Sequence, residues 1–146
     1  MRTFWLVSVA FAYVAAVSAR AEDAPIGFVK TLSGTVTLTH GDTSTPAGLG
    51  SAVYESDWLQ TGTDGQVGVT FRDNTRIALG PESRIQLAHF VFKPATEQYG
   101  FLMRLAHGTL ECISGLTTKL APDAMSIETP GFTVGARGTR FLVRSE

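Results

Sequence analysis

Cysteine is almost absent from this chain, which has a single thiol, Cys112, among its 146 residues. One cysteine cannot form an internal disulfide, so packing alone must stabilise the fold, even in an oxidising compartment. A lone thiol in an exported protein can pair with another chain or react as a thiolate, but free cysteine is also among the residues most often buried. Because Leu110 and Ile113 flank it, we expect Cys112 to be buried and inert.

Clusters of basic residues and of metal ligands are also missing. The 12 Lys and Arg residues are scattered and are balanced by 13 Asp and Glu, so the chain lacks the concentrated positive charge that nucleic acid binding requires. His40, His89 and His107 have no neighbours at a zinc-binding spacing, and Asp64 and Asp73 are too sparse for a calcium loop. No glycine-rich phosphate loop precedes a helix. We therefore expect no nucleic acid partner, no metal and no cofactor.

Long apolar stretches are limited to one, Phe4 to Val17, near the start of the chain. This run has 14 residues, fewer than the roughly 20 that span a bilayer as a helix. Arg2 precedes it, and Ala19-Arg20-Ala21 supplies the small-x-small pattern of a signal peptidase site. We predict a signal peptide over residues 1–21, cleaved before Glu22, and a periplasmic or secreted mature chain with no membrane span. An uncleaved membrane anchor is the alternative.

Residues 22–146 would form one domain of 125 residues (146 minus 21), with 10 basic and 13 acidic side chains and a formal charge of −3. Helical periodicity is nearly absent from this region. Apolar and polar residues alternate instead, as in Val67, Val69 and Phe71, and Gly, Asn, Asp and Pro interrupt the alternation. This pattern predicts an all-β fold of about nine or ten short strands, arranged as a sandwich, barrel or irregular solenoid.

Two places in this pattern need a specific explanation. Ile85 and Leu87 lie on one parity and Phe90 on the other, which indicates either a β-bulge near His89 or a strand buried on both faces. The pair His107-Gly108 is expected to form a turn between two strands.

The chain also stops directly after a strand, which we expect to be an edge that a partner could extend.

Three separated segments together resemble the FecR domain family. They are Val53-Tyr54-x-x-Asp57-x-Leu59-x-Thr61-Gly62, then Phe71-x-Asp73-Asn74-Thr75-x-x-x-Leu79-Gly80, and finally Thr129-Pro130 to Gly138-Thr139-x-Phe141. Three motifs in the expected order are more specific than any one of them.

The resemblance implies a bacterial periplasmic β-rich module with a solenoid-like fold. Such modules are best known as the outer half of membrane regulators that relay iron-siderophore signals to a cytoplasmic sigma factor. Only Met1 to Thr3 precede the apolar run here, so the sequence is more similar to stand-alone secreted FecR-domain proteins. We expect the shared motif residues to have structural roles: Asp57, Thr61, Gly62, Asp73, Gly80, Thr129, Pro130, Arg137, Gly138, Thr139 and Phe141.

Other side chains that could carry chemistry have simpler explanations. Arg137 with Arg140 and Arg144 could clamp an anion, but glycines on both sides of Arg137 favour a tight bend that holds this side chain against carbonyls. Asp57 and Asp73 stand where aspartate commonly bonds nearby backbone amides. The aromatic rings of Tyr54, Trp58 and Tyr99 could form a ligand platform, but in a small β domain such rings more often fill the core or its rim.

These observations predict a non-enzymatic envelope protein that acts in sensing or signalling by contacting another envelope protein. A self-associating structural protein that uses its last strand is one alternative. An enzyme or metal protein that pairs Cys112 with His107 is another, although no third group is evident to orient the pair.

Overall fold

The structure is a computed structural model that describes residues 24–136 and 140–146. The predicted signal peptide and its cleavage site, like the motif residues Arg137, Gly138 and Thr139, lie outside the described residues. Strands account for 59% of the described part of the chain, and the all-β prediction is confirmed. Within residues 24–136 and 140–146, no helix is long and apolar enough to cross a membrane.

Twelve strands are present in the described residues, together with one short helix, α1 (Leu116–Leu120), and a 3-10 turn at Pro94–Thr96. The strands form where apolar and polar residues alternate, because this alternation buries one face of a pleated strand. Their bounds are β1 (Gly27–Ser33), β2 (Val36–His40), β3 (Thr43–Pro46), β4 (Ala52–Val53), β5 (Trp58–Thr61), β6 (Gln66–Phe71), β7 (Arg76–Leu79), β8 (Arg84–Lys93), β9 (Gln98–Ile113), β10 (Met125–Glu128), β11 (Thr133–Gly135) and β12 (Arg140–Ser145).

Nine of these strands form one curled open sheet in the order β3-β2-β5-β8-β9-β7-β6-β1-β4. β10 and β12 both attach to β9, and β11 attaches to β10; the β9–β10 pair is parallel and the other pairs are antiparallel. The first half of the sheet contains β1, β4, β6, β7, β12 and the end of β9. The second half contains β2, β3, β5, β8, β10, β11 and the start of β9.

The two halves face each other across a single apolar core. At its centre the ring of Phe71, from the first half, packs edge-on against Phe101 of the second half, with ring centroids 4.8 Å apart. Phe90 packs edge-on against Phe101 in turn, at 4.9 Å. Edge-on aromatic packing of this kind adds to the stabilisation that burial of the rings provides.

Strand β9 crosses from one half of the sheet to the other without interruption. The expected turn at His107-Gly108 is therefore wrong: the strand bends at Gly108, which has a φ of +101°, and continues to Ile113. Before the bend, β9 pairs with β8 and β10, and after it with β7 and β12. A positive φ allows this change of direction, and glycine adopts it with little steric cost.

A β-bulge in β8 explains its change of parity. The pairing register with β9 shifts between Gln86 and His89, which confirms the bulge that the sequence indicates near His89. As a result Ile85, Leu87 and Phe90 all lie on the buried face. A bulge re-aims side chains in this way because it places two residues of one strand opposite one residue of its partner.

We expect Gly108→Ala to destabilise the fold more than a matched change at Gly50. Gly50 has a similar φ of +81° but open space where a Cβ would lie, whereas a Cβ at Gly108 would overlap the backbone and side chain of Ser83. Gly50→Ala should therefore lower the free energy of unfolding by about 1 kcal/mol through backbone strain alone. Gly108→Ala should lower it by about 3 kcal/mol, since overpacking is added. Urea denaturation measures both, and equal losses would contradict the role given to the bend.

Candidate functional site

The family-motif residues Thr61, Gly62 and Gly80 lie together where the chain passes between the two halves of the sheet. We call this region the sheet corner; it also contains Ser83, Gly108 and Thr109. The buried Thr61 hydroxyl donates to the Gly80 carbonyl (2.6 Å) and accepts from the Ser83 amide (2.9 Å). The Ser83 hydroxyl in turn accepts from the Thr109 amide (2.9 Å). These bonds connect three segments of the chain, at Thr61, at Gly80 to Ser83 and at Thr109. They satisfy backbone groups that have no partner in a strand ladder.

Asp57 lies at the opposite end of the sheet and is 1% exposed. Its Oδ2 accepts a hydrogen bond from the Tyr54 amide (2.9 Å), which is the turn role that its position in the sequence suggests. Its Oδ1 lies 2.5 Å from Nδ1 of His40, whose ring is 5.0 Å from that of Tyr54. The pair of Asp57 with His40 is not evident from the sequence, because 17 positions separate them. It forms because β2 and β5 are neighbours, with Thr39 opposite Trp58.

Asp73 is fully buried and anchors a second hydrogen-bond network. Its carboxylate accepts from the Thr75 amide (3.0 Å) and the Thr75 hydroxyl (2.7 Å). The same hydroxyl accepts from the Gly115 amide (3.1 Å), and the Leu116 amide donates to the Asp73 carbonyl (2.7 Å). This network fixes the start of α1 against the β6–β7 turn, and there is no room for a Cβ at Gly115.

Two further motif positions are described. Thr129 closes the turn between β10 and β11: its hydroxyl and its amide both bond the Phe132 backbone, while Pro130 lies exposed at the tip. Phe141 lies in β12 opposite Cys112, half-buried against the core. Each described motif residue thus lies in a turn or the sheet corner, or packs on the core.

Cys112 and His107 do not form a pair. Both lie on β9, five positions apart on either side of the bend, which corresponds to about 16 Å along a strand. Cys112 is 0% exposed, as expected, whereas His107 is exposed and its Nδ1 bonds the Glu82 carbonyl (2.8 Å). Burial, together with the smaller effect of the negative charge of Asp73, raises the pKa of Cys112 from 9.0 to about 12.

The aromatic rings proposed as a ligand platform have separate neighbours. The Arg84 guanidinium lies 4.2 Å above the ring centroid of Trp58, Tyr54 contacts His40, and Tyr99 packs against Phe92 at 5.9 Å. In the described residues, no three His, Cys, Asp or Glu side chains are placed to hold a metal ion together.

An open cleft of about 660 Å³ lies at the Asp57 end of the sheet. Its walls carry charges of both signs, from Glu55, Arg72 and Lys93 among others. Glu55 lies 3.3 Å from Nδ1 of His89 and also accepts from the Phe90 amide (2.9 Å). Because Glu55 and Asp57 already bond groups of the fold and the Arg72 guanidinium lies 5.5 Å from the ring centroid of Phe90, the described walls offer no convergent set of groups for one ligand.

Strand β12 is an open edge in the described part of the sheet. It pairs with β9 alone, and no described strand lies on its other side. Arg140, Leu142 and Arg144 project from its outer face; Leu142 is 66% exposed, and Arg140 forms an ion pair with Glu111 of β9. Of the three arginines considered for an anion clamp, Arg140 and Arg144 lie on one face of β12, and Arg137 lies outside the described residues.

We expect Thr75→Val to destabilise the protein by about 3 kcal/mol. The hydroxyl is the shared partner of the buried Asp73 carboxylate and the Gly115 amide, and its removal leaves both groups with a bond unmade. Thr75→Ser keeps the hydroxyl and should cost less than about 1.5 kcal/mol. Chemical denaturation measures both variants, and similar losses would show that the hydroxyl has no special role.

We expect Cys112 to resist thiol reagents in the folded protein. With a pKa of about 12, the thiol is protonated at pH 8 in all but about one molecule in ten thousand. Labelling with a chromogenic disulfide reagent should therefore proceed only at the rate of unfolding and should become fast in denaturant. Rapid stoichiometric labelling of the native protein at pH 8 would contradict this prediction.

A comparison with known families supports the resemblance that the motifs indicate. The family described as FecR protein matches residues 57–146, which is 90 of the 146 residues. No curated protein and no solved structure matches the chain significantly. The matched region begins at Asp57 and includes the sheet corner, the Asp73 network and β12. The chain therefore belongs to the FecR protein family.

Proposed function

We propose that this chain is a non-enzymatic module of the bacterial envelope that takes part in sensing or signalling by contacting another protein. Membership of the FecR family supports this, because the family is one of envelope signalling proteins. The predicted signal peptide over residues 1–21 supports a periplasmic location, in which the cleaved chain acts as an accessory to a membrane-bound partner.

The open edge at β12 is the observation that carries the proposal. Along a strand, the backbone N–H and C=O groups of successive residues point alternately to the two neighbouring strands. The Gly80 amide donates to the Thr109 carbonyl, so Thr109 points towards β7. The other odd-numbered residues of β9 after the bend therefore also direct their backbone groups towards β7. Leu110 and Cys112 must then face β12, where they meet Val143 and Phe141. The backbone N–H and C=O groups of Arg140, Leu142 and Arg144 therefore point away from the sheet.

Unpaired backbone groups along a strand are a template for a further strand. The two ends of the sheet order are less suitable, since β4 has two residues and β3 ends in a proline, Pro46, which has no N–H to donate. β12 combines six residues, an unpaired side and an exposed apolar side chain. These are the properties of a surface that binds an extended segment of a partner.

Photo-crosslinking in intact cells tests the proposal. A benzophenone side chain is placed in the full chain at one exposed position on each of three surfaces: Ser44 in β3, Thr96 in the β8–β9 connection and Leu142 in β12. We expect at least one position to give a specific product with a second, different envelope protein. The chain should be recovered by osmotic shock with Glu22 as its first residue.

Absence of a specific product from all three positions would contradict the proposed function. A product of twice the mass of the chain would instead favour the self-associating structural protein.

A further inference from the structure

The first half of the sheet has a strongly basic outer face. Its strands carry four exposed cations, Lys30, Arg76, Arg140 and Arg144, against one carboxylate, Glu111, for a net charge of +3. The whole chain has a formal charge of −1. Positive charge is therefore concentrated on the face that ends at the open edge.

The edge strand β12 carries two of these positive charges within five residues. Arg140 and Arg144 lie on either side of Leu142, all three on the outer face. A strand added beside β12 would place its own alternate side chains directly opposite these three, because paired strands share their faces. We propose that β12 binds an extended segment of a partner protein in which an apolar residue is flanked, two positions away on each side, by Asp or Glu. This inference rests on the proposed function and specifies its partner.

A second copy of this chain fits the edge less well. If two β12 strands paired antiparallel about Leu142, Arg140 of each copy would lie opposite Arg144 of the other, and like charges in that position are destabilising. If they paired about Val143, Arg140 would meet Glu146, but Arg144 would lie opposite Leu142 and find no carboxylate. An acidic segment gives Arg144 a carboxylate partner and offers Arg140 a second one beside Glu111, and arginine binds carboxylates in a well-defined geometry.

An anionic membrane surface also fits the basic face less well than a strand does. A bilayer would attract the cations, but the phosphate and ester groups of lipids cannot pair with a ladder of outward N–H and C=O groups in register. An extended peptide satisfies the charges and the backbone together.

The test uses the benzophenone at Leu142 in intact cells and changes only Arg144, whose own N–H points outward. Arg144→Thr removes the charge but keeps the N–H, and we expect about threefold less product. Arg144→Glu reverses the charge and Arg144→Pro removes both the charge and the N–H, and each should reduce the product about tenfold. Lys119→Glu in α1 alters the net charge away from the edge and should leave the yield unchanged.

Two further measurements make the result specific. Thermal melting of each purified variant establishes that it is folded, so that a loss of product is a loss of contact. Mass spectrometry of the crosslinked peptide should identify a segment with acidic residues two positions either side of an apolar one.

The inference is overturned if Arg144→Glu leaves the yield unchanged, if the crosslinked segment has no such acidic pair, or if the product is a dimer of this chain. It is also overturned if the mature chain sediments with phosphatidylglycerol vesicles and Arg144→Glu abolishes that binding. Products from Ser44 or Thr96 without one from Leu142 would refute the β12 site while leaving the proposed function intact. No product from any position would refute both.

Discussion

The bend of β9 over Ser83 is the constraint on which the rest of this fold depends. At Gly108 the longest strand leaves one half of the sheet and enters the other, and the Ser83 hydroxyl bonds the Thr109 amide just beyond the bend. Because β9 pairs with four other strands, both halves are positioned relative to this one segment. The core can close only if the bend has the angle that brings the two halves face to face.

The positions of the FecR motif residues are explained by the places where backbone groups of the curled sheet need partners outside the strand ladders. Thr61, Gly62 and Gly80 satisfy backbone groups at the sheet corner, while Asp57 and Asp73 do the same at the opposite end, where the strands turn. In both regions a small polar side chain replaces the hydrogen bonds that a ladder would otherwise supply. The motifs therefore describe an architecture, and the exposed face of β12 is formed by residues outside them, Arg140, Leu142 and Arg144.

Alternation of apolar residues was sufficient to predict the all-β class and to offer a bulge near His89 as one of two explanations, because both depend on neighbours in the chain. The continuity of β9 was missed, since His107-Gly108 has the composition of a turn and only the corner packing shows that it is a bend. The pairs His40–Asp57 and Thr75–Gly115 were missed because 17 and 40 positions separate their members. The open edge was predicted, but its chemistry required the register that places Arg140, Leu142 and Arg144 on one face.

The late position of β9 in the chain also has a kinetic consequence. A polypeptide that emerges amino-terminus first, from a ribosome or a secretion channel, presents β7 and β8 before β9, the strand that joins them, exists. The partial sheets β3-β2-β5-β8 and β7-β6-β1-β4 can pair before β9 is present, but β7 and β8 each keep an edge open until residues 98–113 arrive. Non-local pairing of this kind slows folding and prolongs the exposure of aggregation-prone edges. A chain interrupted before Gln98 would be left as two unconnected partial sheets, so that this protein needs its synthesis to be nearly complete before any of its core is secure.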